Sequence, residues 1–439
     1  MRHTLRWLLS AAMVFGTAVT AGAPSATAAP ANSVPDVKAQ LQALPGVASV
    51  RQVWEIEPHG TRLYEVQFDQ LKDHRDPSAG TFRQRVAVRH RSEQLPTALM
   101  TVFSTQESGR LPDGFPYLTN DVSVERRFTG TSQPTPKDLT KLDIRQLADD
   151  LHRITISLKG LYQQKWISTG QEEDAQTAIY HRRFHPTDVH GTFVVGGRND
   201  VDNAEDSAYD QVIANNSTPE CTDRVKAFQR EALKRRGELL ELYQRQAQTN
   251  RDSHQVIGSA DKAFEISVTN YMRRFWNTFN NHRMCVAVPL ASAPTSEIWN
   301  SLSVIGAVHQ QGDRHLRLYE VEHYLAGTQT GWPSVDTSHL DDLLRYPGIN
   351  QPRSLVDRSF PMTFDNGAMA DVDRWVREEA SGIIFFYAQD HPMAAERFQP
   401  GEGSTDTKVF YSRNGEVGGL DPADLRELTE TLNRWAGRV

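Results

Sequence analysis

The sequence predicts an α/β fold: a doubly wound sheet interrupted by a long helical insertion. Strand and helix patterns alternate up to about residue 200, residues 201–364 are patterned mostly as helix, and two strand patterns return after residue 380. The chain has 439 residues, room for one large α/β domain with an insertion, or for two domains.

Arg2 and Arg6 precede a short apolar run at 7–19, and Ala26-Thr27-Ala28 follows. This is the pattern of a secretory signal peptide over residues 1–28, too short and wrongly flanked for a spanning helix. Residues 63–68 and 83–88 alternate with period two, and 97–103 is a continuous apolar run suited to a buried strand. Residues 122–128 make a fourth strand. Leu147, Leu151, Ile154, Leu158 and Leu161 fall on one helical face. A short strand at 165–169, a helix at 171–184 and a strand at 191–195 complete the first part of the core, 29–200. Within 201–364, residues 225–248 and 264–279 read as helix, and the segment as a cap domain. Strands at 382–387 and 408–411 and a helix at 422–435 form the last part of the core, 365–439.

The formal net charge is −7. Cleaving the leader would remove Arg2 and Arg6 and no acid. That balance argues against a nucleic-acid or anionic-membrane partner. Cys221 and Cys285 are the only cysteines. An even count in an exported chain favours one disulfide over two free thiols.

The chemistry centres on Thr169-Gly170-Gln171-Glu172-Glu173-Asp174-Ala175, where a strand runs into a helix. A serine hydrolase needs a Gly-x-Ser-x-Gly elbow there, so that the serine Oγ stands between its base and the oxyanion donors. Here the position holds Glu172, and Asp174 and Ala175 follow where glycines are expected. No Gly-x-Ser-x-Gly occurs elsewhere.

Long segments make a family visible. They include Tyr180-His181-Arg182-Arg183-Phe184, Leu344-Arg345-Tyr346-Pro347-Gly348-Ile349-Asn350-Gln351-Pro352-Arg353-Ser354 and Gly367-Ala368-Met369-Ala370-Asp371-Val372-Asp373-Arg374-Trp375. Over nearly the whole mature chain the sequence resembles the secreted tri- and tetrapeptidyl aminopeptidases of filamentous soil bacteria. These form serine peptidase family thirty-seven, with an α/β-hydrolase core and a helical cap. The resemblance also places both cysteines where the family has a pair. It implies a serine at Glu172, an aspartate at His391 with Asp390 one residue early, and a histidine in the loop at 412–419, near Glu416. It implies an oxyanion glycine at Phe103, beside Gln171 and Glu173. No histidine follows His391. Without serine there is no acyl-enzyme, and without histidine nothing takes its proton.

Other constellations have competing readings. Glu172, Glu173 and Asp174 are either a carboxylate centre or dipole-favoured acids of a first helical turn. His181 and His185 have i, i+4 metal spacing, yet no further ligand completes a zinc site, and no metal or cofactor is expected. Glu205, Asp206 and Asp210 are candidate holders of a peptide's α-ammonium, or capping acids. Arg126, Arg127, Arg182 and Arg183 are core braces or surface charges. The sequence thus predicts a secreted relative of the tripeptidyl aminopeptidases that binds peptide or protein without cleaving it. An active secreted paralogue is one such protein partner. The alternative is a working hydrolase with relocated or carboxylate-based residues.

Overall fold

Nine strands form one sheet in the order β1-β2-β3-β5-β4-β6-β7-β8-β9. They are β1 (Val47–Ile56), β2 (Thr61–Leu71), β3 (Thr81–His90), β4 (Thr97–Val102), β5 (Asn120–Glu125), β6 (Trp166–Gln171), β7 (Gly191–Val195), β8 (Ser381–Ala388) and β9 (Thr405–Ser412). The pairs β1–β2, β2–β3 and β3–β5 are antiparallel. From β5 to β9 every pairing is parallel. The structure, a computed structural model, describes residues 36–56, 60–102, 118–413 and 415–438. The leader predicted at 1–28 and Phe103 lie outside the described residues.

Burial follows position in the sheet. All six residues of β4 and all six of β5 are buried, as central parallel strands covered on both faces require. β2, nearer the edge, alternates buried and half-buried positions. The edge strand β1 has two register shifts against β2, and its weak alternation explains why the sequence reading does not predict it. The predicted strand at 122–128 stops at Glu125. Arg126 and Arg127 are both buried beyond it, and Phe128 adopts φ 64°.

The helices are α1 (Val37–Gln42), α2 (Ile144–Leu158), α3 (Glu173–Phe184), α4 (Ser207–Asn216), α5 (Pro219–Lys234), α6 (Arg236–Asn250), α7 (Ala260–Thr269), α8 (Tyr271–Phe279), α9 (Thr295–Ile305), α10 (Asp313–Leu318), α11 (Glu320–Leu325), α12 (Pro352–Leu355), α13 (Asn366–Glu378) and α14 (Pro422–Trp435). Local chemistry fixes several starts. Asp143 accepts from the Gln146 N–H to open α2, and Asp421 accepts from Ala423 and Asp424 to open α14, with Pro422 in the first turn. The predicted helix at 225–248 is two, α5 and α6, broken at Arg235. The one at 264–279 is likewise two, α7 and α8, meeting at Asn270.

Between β7 and β8 every regular element among the described residues is helical. These helices carry their own apolar cluster, including Phe228, Phe264, Tyr271, Phe275 and Trp276. Separate clusters line the sheet faces. The Cys221–Cys285 disulfide ties α5 to the 3₁₀ turn His282–Ala287. Val37–Val439 form one compact unit. Among the described residues no helix is long and apolar enough to cross a membrane.

Candidate functional site

At the carboxyl end of β6 the chain turns sharply into α3, and Glu172 is the residue at the turn. Its backbone holds φ 51° and ψ −117°, a region that residues with a Cβ occupy only under strain. Two hydrogen bonds lock it there: the Glu172 N–H donates to the Val195 carbonyl at 3.0 Å, and its own carbonyl accepts from Gln176 N–H at 3.1 Å. The retained Gly170 explains how the turn closes. A Cβ there would lie 2.4 Å from the backbone of Asp174, so only glycine lets α3 approach β6 this closely. Strain at this turn has a measurable consequence. Glu172→Gly relieves about 1–3 kcal/mol of backbone strain and costs about 1 kcal/mol in chain entropy. The variant is therefore expected to be more stable by about 1 kcal/mol in urea unfolding, and an unchanged or lower midpoint would contradict the strain.

Above the turn lies a cavity of about 610 Å³, within the ~300–1,000 Å³ range of small-molecule sites. Its floor is acidic: Gln171, Glu172, Glu173 and Asp174 line it together. Burial in the cavity, then Glu173 and Asp174, raise the Glu172 carboxyl above its ordinary value. Asp174 fills the place of an elbow glycine and accepts from Thr101 Oγ1 at 2.9 Å. Burial raises Asp174 too, against the pull of Arg126. Arg126, 4% exposed, bonds Glu322 on α11 and lies 3.8 Å from Asp174. Burial alone would lower this guanidinium, but Glu322 and Asp174 hold it above its ordinary value. Arg198, Arg273 and Trp332 line the cavity as well, together with His315 and His323. No serine or cysteine is among the described lining residues.

The other predicted site residues disperse. Gln171 and Glu173 join Glu172, but His391 and Glu416 do not line the cavity. His391 Nε2 donates to the Asn277 carbonyl at 3.0 Å, and its Nδ1 accepts from Met393 N–H at 3.2 Å. Both ring nitrogens are therefore occupied, and the residue caps a 3₁₀ turn. Glu416 is exposed in the loop after β9, its carbonyl accepting from Ser412 Oγ. Glu205 accepts from Ser207 N–H and Asp210 from Asp336 N–H, so each is spent on local backbone. Asp206 instead meets Asp200 and Glu396, with carboxylate oxygens all within 4.8 Å. Asp200 is fully buried. Tyr209 Oη donates to Glu396 at 3.0 Å. Such an all-oxygen group is of the kind hard cations take, but it does not line the cavity.

His181 and His185 do not converge on a common point. His181 Nε2 pairs with Asp188 at 2.9 Å and His185 Nε2 with Asp149 at 2.7 Å. His152, missed in the sequence, shares Asp188 and stacks on His185 with centroids 3.9 Å apart. His152, His185 and Asp188 bring one candidate ligand atom each within 4.8 Å of one another, a mixed nitrogen and oxygen set. Of the arginines left open by the sequence, Arg126, Arg127 and Arg182 are buried, and Arg183 pairs with Asp371 at 3.2 Å.

Sequence reasoning missed Arg198, Arg273, His315, Glu322, His323 and Trp332. They arrive from β7's exit, from helices inserted far along the chain and, for Trp332, from the irregular segment that follows them, with no local spacing that would join them to the elbow.

A mostly parallel sheet in this order, with a strained residue between β6 and its following helix and a cavity over it, defines an α/β-hydrolase-fold protein. Residues 29–439 match the PS-10 peptidase S37 family, and the chain belongs to that family. A prolyl tri/tetrapeptidyl aminopeptidase of Streptomyces mobaraensis is 39% identical over 452 residues, covering 100% of this chain and 92% of that protein. Among solved structures, a proline iminopeptidase of Mycobacterium smegmatis is 11% identical, with a TM-score of 0.36 over 88% of this chain and 99% of that one. An acetylester hydrolase of Corynebacterium glutamicum is 11% identical, with a TM-score of 0.36 over 85% and 95% of the respective chains.

Proposed function

We propose that this protein is a secreted, non-cleaving member of the peptidase S37 family that binds short peptides in the cavity over Glu172. The observation that carries the reading is Glu172 itself. It stands in the strained elbow where the family would place serine, with Glu173 and Asp174 beside it. A tetrahedral intermediate needs donors around its oxyanion, and three neighbouring carboxylates oppose that charge. In this reading the helices of 201–364 act as the lid, and the acids at the elbow hold the peptide's α-ammonium through charge-assisted hydrogen bonds. That replaces the expected trio Glu205, Asp206 and Asp210, of which two are bonded to backbone N–H groups.

The mature chain, tested with a labelled fluorophosphonate and proline-containing tripeptidyl substrates, is expected to show neither labelling nor turnover while retaining saturable tripeptide binding. Glu172→Ser alone is expected to recover no turnover, because neither cavity histidine, His315 or His323, bonds the residue at the elbow among the described contacts. Saturable turnover abolished by Glu172→Ala would establish a carboxylate-based hydrolase instead.

A further inference from the structure

Arg273 on α8 lines the cavity, and its guanidinium sits 5.8 Å from the ring centre of Trp332. It donates to Asn270 Oδ1 at 3.2 Å. Among the described residues no ion pair engages it. Arg198 shares the wall and is 9% exposed. It donates to the Gly331 carbonyl at 2.9 Å, and its buried Nε has no partner. Burial alone would lower Arg198, but Tyr209, Glu173 and Asp200 act on it electrostatically and hold it above its ordinary value; no described carboxylate lies within ion-pair distance of it. Arg274, adjacent on α8, bonds only the side-chain amide of Gln310, and its Nε is also buried and unpartnered. Burial and the two neighbouring guanidiniums push Arg273 down to about 10.

A guanidinium remains charged under all ordinary conditions, and a buried charge without a counter-ion is costly. Arg126, also lining the cavity, is by contrast paired directly, with Glu322 and Asp174. The cavity is therefore acidic at the elbow and cationic around Arg198 and Arg273, where neither guanidinium has an ion-pair partner among the described residues.

We infer that Arg273 and Arg198 form a carboxylate-binding subsite, so that the ligand is a short peptide with a free C-terminus, its ammonium at Glu172 and Glu173 and its carboxylate at Arg273. This rests on the peptide-binding reading above and deepens it. The planar fork of an arginine suits a carboxylate's two oxygens, and Trp332 offers an apolar floor for the last side chain.

The test is calorimetric titration of the mature protein with one proline-containing tripeptide as the free acid and as its C-terminal amide, with inorganic phosphate as competitor. The free acid is expected to bind at least about tenfold more tightly than the amide, the worth of one charged hydrogen-bonded contact. In Arg273→Gln that difference is expected to vanish while the amide still binds, which also shows that the variant is folded. Equal binding of acid and amide by the wild type would overturn the subsite and leave peptide binding standing. Phosphate displacing the amide as readily as it displaces the acid would likewise overturn it. If neither form binds, the peptide reading itself fails and this one with it.

Discussion

Asp150→Asn lowers the unfolding free energy by about 3–5 kcal/mol, read as a lower urea midpoint at unchanged slope. Asp150 is 2% exposed and Arg127 fully buried. The carboxylate takes Arg127 Nε at 2.8 Å and Nη2 at 2.6 Å, and His74 Nε2 at 2.7 Å. Arg127 also donates to the carbonyls of Leu71, Lys72 and Lys141. This one side chain therefore ties the end of β2 to α2 and to the loop before it. Burial alone would raise the Asp150 carboxyl, but Arg127 and His74 reverse this and hold it below its ordinary value. Asparagine keeps the shape but removes the charge and replaces one acceptor by a donor, leaving a guanidinium uncompensated in the core. The double variant Arg127→Met with Asp150→Leu removes both charges and is expected to regain much of the loss. A double variant as unstable as the single one would mean that hydrogen-bond geometry, rather than stranded charge, holds this junction.

The legible and illegible parts of this protein divide by range of interaction. Period-two alternation in β2 and β3, the leucine face of α2 and the capped α14 are written in neighbouring residues, and all four form where expected. The elbow was legible for the same reason: a strand, Gly170 and a helix start lie within seven residues. The breaks at Arg235 and Asn270 were not: the first has only Gly237 two residues beyond it and the second no glycine or proline beside it, and helical periodicity runs through both. The end of β5 at Glu125 was misread for a related reason. Arg126 and Arg127 look like the polar half of an alternating strand, yet they are drawn to Glu322 and Asp150, 196 and 23 residues away. The cavity's cationic wall has no linear signature at all. Arg273 sits in an aromatic-rich helix, and only the fold brings Trp332 and Arg198 beside it.

Acidification below about pH 6.5 removes the stability that the neutral His323 side chain contributes. This residue lines the cavity, its Nδ1 is buried without a partner, and burial together with His315, Arg274 and Arg273 pushes it down to about 3. His315 and His339 are pushed down to about 4, chiefly by burial. An imidazole with a folded pKa below its unfolded value near 6.5 stays neutral in the native state while the unfolded chain takes the proton. Its contribution is complete above that pH and is lost as pH falls toward the folded value. Glu396, raised to about 8, and Asp200, raised to about 6, work in the opposite sense, again chiefly through burial. Glu396 takes its extra native proton as pH falls through about 8 and Asp200 as it falls through about 6, and each then adds stability down to its unfolded value. Glu172, Asp174, Asp206, Asp210 and Glu322 are raised in the same sense, so the histidine contribution is read as a difference between variants. Each net proton taken up on unfolding changes stability by about 1.4 kcal/mol per pH unit. Urea midpoints of wild type and His323→Gln between pH 7.5 and 4 isolate the residue. The variant is expected to lose about one proton's worth of slope below pH 6.5. An unchanged slope would mean that His323 takes up its proton in the folded state much as it does in the unfolded chain.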